Sequence, residues 1–446
     1  MSNGTSNRTS FRNWAGTVTA TPEELFQPRN EEDIVAKLIE SDASIRPLGA
    51  GHSFTAVAAT DAISLQLDHL SGLISVDREN MTATFYAGTR LRDIPGLLAD
   101  YHVALPNQGD VDPQALAGAV STGTHGTGLG FTGFGGIVQA FTLIDASGTR
   151  HECAADAPGV AGELFRLARV GLGVFGVITT ITISVVEAFY LAADEHREPL
   201  EQIRDEFVER CRRQDHVEFF WFPGAKDALV KQNRRLSAAE VETSEIKLPK
   251  PQRSFFSEEI VNNGGLRAMC ELARFVPPAT RGLNAVATKA VSRRKYLDQA
   301  HRVFVSSRRV RFSEMEYAIA LDDMPEVLKE IAAVIDRNRA WASFPLEIRA
   351  AAADDVALST AYQRDSAYIA VHQYHKQPYQ HYFFNLIEPI FRAAAGRPHW
   401  GKLHTMGYED FREAYPLFDD ACNLRQQLDP NDRFLNNHLR SIFLPN

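Results

Sequence analysis

Several short stretches of the chain hold side chains that can do chemistry. In Arg46-Pro47-Leu48-Gly49-Ala50-Gly51-His52-Ser53-Phe54-Thr55, two glycines one residue apart stand before a histidine and a serine. Glycine admits positive φ and lets the backbone approach a ligand closely. Consecutive N–H groups in such a turn converge on an anion such as a pyrophosphate. Phe54 occupies the place of a third fingerprint glycine, and Ala56 to Asp61 lacks helical periodicity. The loop is therefore of phosphate type but outside a Rossmann frame; a tight turn with a surface histidine is the plain alternative. A second run, Gly118 to Gly130, alternates glycine with small hydroxyl residues and suits wrapping a ligand in backbone donors, a flexible linker being the bland reading. It lacks the Gly-Lys-Ser/Thr ending of a P-loop, which argues against ATP. Gly171 to Gly176 fits GxGxxG, yet the β-branched Val177 to Val186 behind it reads as a strand, so the motif fails its context. Glu347 and Arg349 share one face of a strand, as an ion pair or as a grip on a polar substrate. His372, on one strand face with Tyr374, is a candidate general base, although packing is the commoner fate of such a residue. His375 faces the other way, which disfavours zinc held by His372, His375 and His381. Lys402, after Trp400-Gly401, reads by itself as a surface lysine.

Simple elements must position these groups. The apolar run Ser44 to Leu48 predicts a buried strand into the Gly49 loop. Asn30 to Ile39 predicts a helix capped by Asn30, with Glu31, Glu32 and Asp33 suiting its dipole. Ala62 to Leu67 alternates like a half-buried strand. Leu73 to Val76 with Thr82 to Ala87, and Ile137 to Ile144 with Thr149 to Cys153, predict hairpins. Leu91 to Tyr101, Glu163 to Val170, Pro325 to Arg337 and Pro378 to Ala395 predict helices. Ser306 to Ala320, Leu346 to Ala350 and Ala367 to Tyr374 predict strands. The polar stretch Lys226 to Arg253 reads as a solvated loop region, and Met1 to Ser10 as disordered.

At 446 residues the chain exceeds one ordinary core, so two or more domains are expected. Its 44% hydrophobic and 23% charged residues are those of a globular protein. A net charge of −9 argues against nucleic acid as partner. No apolar run is long enough to span a membrane, the start has no secretory h-region, and the four cysteines are scattered without a CxxC. Free thiols in a cytoplasmic protein are the simplest expectation.

In order along the chain stand Asn13-Trp14-Ala15-Gly16, the Gly49 to Phe54 loop, Leu105-Pro106-Asn107, the Ser121 to Gly128 run, Glu347-Ile348-Arg349 and His399-Trp400-Gly401-Lys402. Together they resemble the FAD-dependent aldonolactone and alditol oxidases of the vanillyl-alcohol-oxidase-type superfamily. Gln363-Arg364-Asp365-Ser366 and the tail segments Leu428-Asp429-Pro430 and Phe434-Leu435-Asn436 look more like the gulonolactone and arabinonolactone oxidases. The resemblance implies an α+β fold: a PCMH-type FAD-binding domain over residues 1–186, an α+β substrate cap over 187–398, and a C-terminal segment, 399–446, returning to the FAD domain.

It also implies roles. His52 would carry covalently attached FAD. Pro47, Gly49, Ala50, Gly51, Ser53, Gly109, Asp110, Gly118, Ser121, Thr122, Gly123, Thr124, Gly126 and Ile178 would contact it, with His125 a further contact or a packed residue. Arg349, Lys402, Glu347 and His372 would be catalytic: Arg349 donates to the developing alkoxide or to the flavin, Lys402 stabilises the negative charge, Glu347 binds a hydroxyl or orients Arg349, and His372 takes the proton. Asp110, Glu314, Glu347, Arg349, Tyr374 and Lys402 would contact substrate. Two departures from the alditol oxidases, Asp110 for a serine and Glu314 for a glutamine, weigh against a linear polyol. Gly109 offers no side chain to keep dioxygen from the flavin. The expectation is thus an oxidase of an aldono-1,4-lactone that yields hydrogen peroxide. The alternatives are an alditol oxidase, a dehydrogenase with another acceptor, or a flavin-free carbohydrate-binding protein. No metal is expected.

Overall fold

The computed structural model describes residues 10–244, 264–306 and 309–445. The expected disorder of Met1 to Ser10 thus lies, Ser10 apart, outside the described residues. Among those described, no helix is long and apolar enough to cross a membrane.

Three larger sheets carry the fold. The smallest is parallel, with Ile63–Gln66 between Glu24–Phe26 and Ile45–Leu48. Helix Glu31–Glu40 links its two edges. The Asn30 side chain accepts the Asp33 N–H at 2.8 Å, and Ile34 and Leu38 turn inward. The alternation in Ala62 to Leu67 does not yield a half-buried strand: Ile63, Ser64 and Leu65 are all buried, as is usual where both faces of a parallel sheet are covered.

The second sheet is antiparallel, in the order Arg150–Ala154, Val138–Ile144, Val177–Ser184, Thr82–Tyr86, Leu73–Asp77. Both predicted hairpins are in it, and so is the strand expected behind Gly176. The Asp145 carboxylate closes one hairpin turn by accepting the N–H groups of Ser147 (2.8 Å) and Thr149 (3.1 Å).

The third sheet has eight antiparallel strands: Arg294–Gln299, Tyr190–Pro199, Asp227–Leu236, His216–Trp221, Leu346–Ala351, Ser366–Tyr374, Phe312–Ala320 and Arg397–Pro398. Asp227–Leu236 corrects the loop expected over Lys226 to Arg253. Ala228, Val230, Asn233 and Leu236 are buried, and charged neighbours match the polar face, so polar composition conceals a strand. Ser237 and Glu240 then cap a short helix, Ala238–Glu242. The rest of that expectation, 245–253, lies outside the described residues. Pro378 to Ala395 is helical in two pieces: a π-helical turn, His381–Ile387, precedes α-helix Glu388–Ala393. Pro389 has no N–H to continue the ladder between them.

The last part of the chain bonds back to the first. Arg433 Nη1 donates to the carbonyls of Leu38 (3.0 Å) and Ala146 (2.9 Å). Asn436 Nδ2 donates to those of Ala56 (2.8 Å) and Ala59 (2.7 Å).

Candidate active site

The Gly49 loop leaves strand Ile45–Leu48 and faces the short helix Leu116–Ser121. Gly51 takes φ 68°, which turns the chain toward His52. A cleft partly open to solvent runs between loop and helix. Pro47, Gly49, Ala50, Gly51, His52, Ser53, Gly118, Ser121, Thr122 and Ile178, all expected cofactor contacts, line it. Gly123, Thr124 and Gly126 do not. Thr124 Oγ1 is taken by the Gln114 amide (3.0 Å), and Gly126 is packed so closely on Asn107 that a Cβ would lie 2.6 Å from its Oδ1.

The cleft fits a dinucleotide such as FAD. Arg46 Nε and Gln114 Oε1, in two wall residues, are buried with no partner among the described residues. A Cβ on Gly118 would meet nothing within 4 Å, so the glycine leaves room. The ring of Trp14 stacks on that of His52 at 6.0 Å between centroids. Burial, then the charges of Lys402 and Arg90, push the His52 imidazole down to about 4, which keeps it neutral at pH 7.

The loop is tied directly to Lys402. The Phe54 N–H donates to the Gly401 carbonyl at 2.6 Å, and Lys402 Nζ lies 5.0 Å from the centre of the Phe54 ring. Strand register does the rest. Glu314 lies opposite His372, Glu347 opposite Ala370, and Arg349 opposite Tyr368. Directly opposed residues share a face, and the period of two adds Glu316 to it. Lys402 Nζ pairs with one oxygen of Glu314, whose other oxygen is 3.5 Å from His372 Nε2. Glu316 lies 3.4 Å from His125 Nε2, and His125 stacks on Tyr368 at 3.6 Å. Arg349 pairs through Nη2 with Glu347 and with Asp110 (3.5 Å), and through Nε with Glu218 (2.9 Å). Burial alone lowers the affinity of Lys402 and Arg349 for their protons, but the carboxylates around each reverse this and hold both cations charged. Burial pushes Glu314 up; Lys402, then His372, overcome it and bring the carboxyl down to about 2.

Two of the expected site residues have other partners. His372 Nδ1 lies 2.8 Å from the Pro345 carbonyl and so carries a proton, while Nε2 faces Glu314. Both nitrogens thus have a neighbour, and Glu314 lies between His372 and Lys402. The Tyr374 hydroxyl turns away from the site to donate to Glu271 at 2.7 Å. Neither Gly109 nor Asp110 lines the cleft: Asp110 lies beside Arg349, and a Cβ on Gly109 would press on the His125 carbonyl at 2.9 Å.

The sequence reading passed over Arg46 and Gln114 in the cleft, and Glu218, Lys231 and Glu316 on the sheet. A lone carboxylate inside the apolar strand His216–Trp221 is the signal that Glu218 gives. Leu172, Gly173 and Gly176 of the rejected motif also line the cleft, ahead of a strand as expected. His125, Glu316 and His399 offer three ligand atoms within 4.8 Å of one another, a grouping different from the three histidines considered for zinc.

A family model described as D-arabinono-1,4-lactone oxidase matches residues 181–442, and one for an FAD binding domain matches residues 22–154. The chain belongs to the D-arabinono-1,4-lactone oxidase family. It is 36% identical over 438 residues to L-gulono-1,4-lactone dehydrogenase of Mycobacterium tuberculosis, covering 98% of this chain and 99% of that protein. It is 29% identical to L-gulonolactone oxidase of Bos taurus, covering 97% and 98%. The crystal structure of cholesterol oxidase from B. sterolicum matches with a TM-score of 0.78 at 17% identity, over 98% of this chain and 97% of that one, a likeness of fold alone. The family is the one the sequence motifs resemble: FAD-binding flavoprotein oxidoreductases, here with the expected α+β fold.

Proposed function

We propose that the protein oxidises an aldono-1,4-lactone of gulono- or arabinono-type with covalently bound FAD and dioxygen as acceptor. One observation carries the reading: two cations, Arg349 buried on the sheet face and Lys402 half-buried beside it, are held by carboxylates against the loop that bears His52. Such a pair suits an alkoxide forming beside a hydride acceptor. Residues 1–186 and 399–446 then hold the cofactor, and 187–398 form the cap. The four unpaired cysteines suit the reducing cytoplasm.

Gly49 to Ser53, Gly118, Ser121, Thr122, Ile178 and Gln114 would hold FAD, with His52 as the covalent anchor. Bound FAD supplies the hydride acceptor and, on reoxidation by dioxygen, the source of hydrogen peroxide. Arg349 and Lys402 grip the oxygen of the reacting hydroxyl. Lys402 keeps its charge because Glu314 and Glu316 lie beside it, and the Glu314–His372 pair holds the proton that leaves the hydroxyl. Asp110 and Glu347, both on the Nη2 side of Arg349, bind neighbouring sugar hydroxyls.

Purified protein tests this. It should be yellow, keep its colour through acid precipitation, weigh one FAD more than the bare polypeptide, and consume oxygen with gulono- or arabinonolactone faster than with xylitol or sorbitol. A colourless native protein overturns the reading, and faster turnover of polyols moves it to an alditol oxidase. A dehydrogenase is the second reading. Gly109 abuts the His125 carbonyl, so packing requires a glycine there whatever the acceptor, and a relative 36% identical is named a dehydrogenase. Dye reduction without oxygen uptake would decide for it.

A further inference from the structure

We propose that Glu218, backed by Lys231, is the positioning residue that aims Arg349. This rests on the reading that Arg349 meets the reacting oxygen. Glu218 lies on the neighbouring strand His216–Trp221, which pairs with Leu346–Ala351 on one side and Asp227–Leu236 on the other. Its Oε2 accepts from Arg349 Nε at 2.9 Å, and its Oε1 lies 3.4 Å from Lys231 Nζ. Lys231 is itself fixed by donating to the Val303 carbonyl at 2.9 Å. Lysine, glutamate and arginine thus form a row of alternating charge across three adjacent strands.

The three carboxylates around Arg349 differ in kind. Glu347 and Asp110 both engage Nη2, on the side where a sugar hydroxyl would compete for them. Glu218 is 6% exposed and has both oxygens committed, so it is no substrate ligand. It is also the sole partner of Nε among the described residues. A guanidinium is planar, so fixing Nε and Nη2 fixes Nη1 as well. Nη1 has no protein partner among the described residues and is the donor left for substrate. The charged groups facing Glu218 are Arg349, Lys231 and Asp110. Burial pushes its carboxyl up, and Arg349 and Lys231 more than reverse this, so it stays charged. Without Glu218, both remaining carboxylates pull on one nitrogen and the plane can swing.

The test compares full-length, flavin-loaded variants by anaerobic stopped flow. Glu218→Met alone strands Lys231, so the double variant Glu218→Met with Lys231→Met, which removes both charges together, guards against misfolding. Reduction by lactone should slow by about a hundredfold, the cost of a misaimed group, while lactone affinity changes less than threefold. Glu218→Gln, which keeps an acceptor for Nε, should recover most of the rate. In an Arg349→Lys background, the same substitutions should slow reduction no further. A crystal structure of the double variant should show the Arg349 plane rotated. Reduction within threefold of wild type, additive losses in the Arg349→Lys background, or an unmoved guanidinium would each overturn the proposal. A wild type that no lactone reduces overturns the reading of the site, and this inference with it.

Discussion

Replacing Lys402 by methionine separates a catalytic cation from a structural one. The ammonium pairs with Glu314 and lies near Glu316, both buried carboxylates. Holding the Glu314 carboxyl at about 2 instead of 4.5 corresponds to about 3 kcal/mol at neutral pH. Lys402 is the larger of the two charges responsible, ahead of His372, so the variant should lose about 2 kcal/mol of stability. The sign follows from a depressed carboxyl: in wild type this contribution is complete above pH 4.5 and lost as pH falls toward 2. In the variant, Glu314 protonates at higher pH and the acid limb moves toward neutrality. On the chemical side, a donor aimed at a developing oxyanion is worth ~10²–10³ in rate, or ~3–4 kcal/mol. The assay is anaerobic flavin reduction by lactone, alongside urea unfolding and the flavin absorbance of the resting protein. Flavin should stay bound, since Lys402 is not among the residues lining the cleft. A variant that loses stability but is reduced within threefold of wild type would refute the catalytic role.

Four further outcomes are expected. His52→Ala should still take up FAD but release it on acid precipitation, with an intact mass equal to the bare polypeptide; retained colour would point to another tether. His216, His399 and His438 are each held near 4, mainly by burial, so the folded protein resists their protonation. Their share of stability is full above pH 6.5 and falls as pH drops from 6.5 to 4, by about 1 kcal/mol per group per pH unit, and urea midpoints at pH 7.5, 6 and 5 will show it. Gly109→Ala puts a Cβ 2.9 Å from the His125 carbonyl and should cost ~1–3 kcal/mol in thermal unfolding; if dioxygen is the acceptor, peroxide formation should also fall relative to dye reduction. Tyr374→Phe should leave the lactone KM within twofold, because its hydroxyl serves Glu271, and cost about 1 kcal/mol of stability.

Local rules made much of the scaffold legible. Asn30 caps its helix, Asp145 closes its hairpin, and β-branched Val177–Ser184 is a strand despite the glycine motif before it. The cleft was legible through Gly49, Gly51 and Gly118, because close approach to a ligand leaves few choices of residue. The charged face was less so. Period two put Glu347 with Arg349, but only the pairing of strands far apart in sequence brings Glu218, Lys231 and Glu316 beside them. Lys231 was hidden because a strand covered by charge partners has the composition of a loop. The tie of His372 Nδ1 to the Pro345 carbonyl involves a backbone atom that sequence pattern does not locate.

Arg46 stands on the cleft wall, yet one of its nitrogens donates to the carbonyl of Phe434, 388 positions further along the chain. A ribosome must add 388 further residues before that partner exists. The Arg46 side of the cleft is complete only once Phe434 is in place, so a fragment that stops short of it, however complete its glycine loops, should make a poor cofactor trap. Closure over so great a separation also delays assembly of the wall until late in folding.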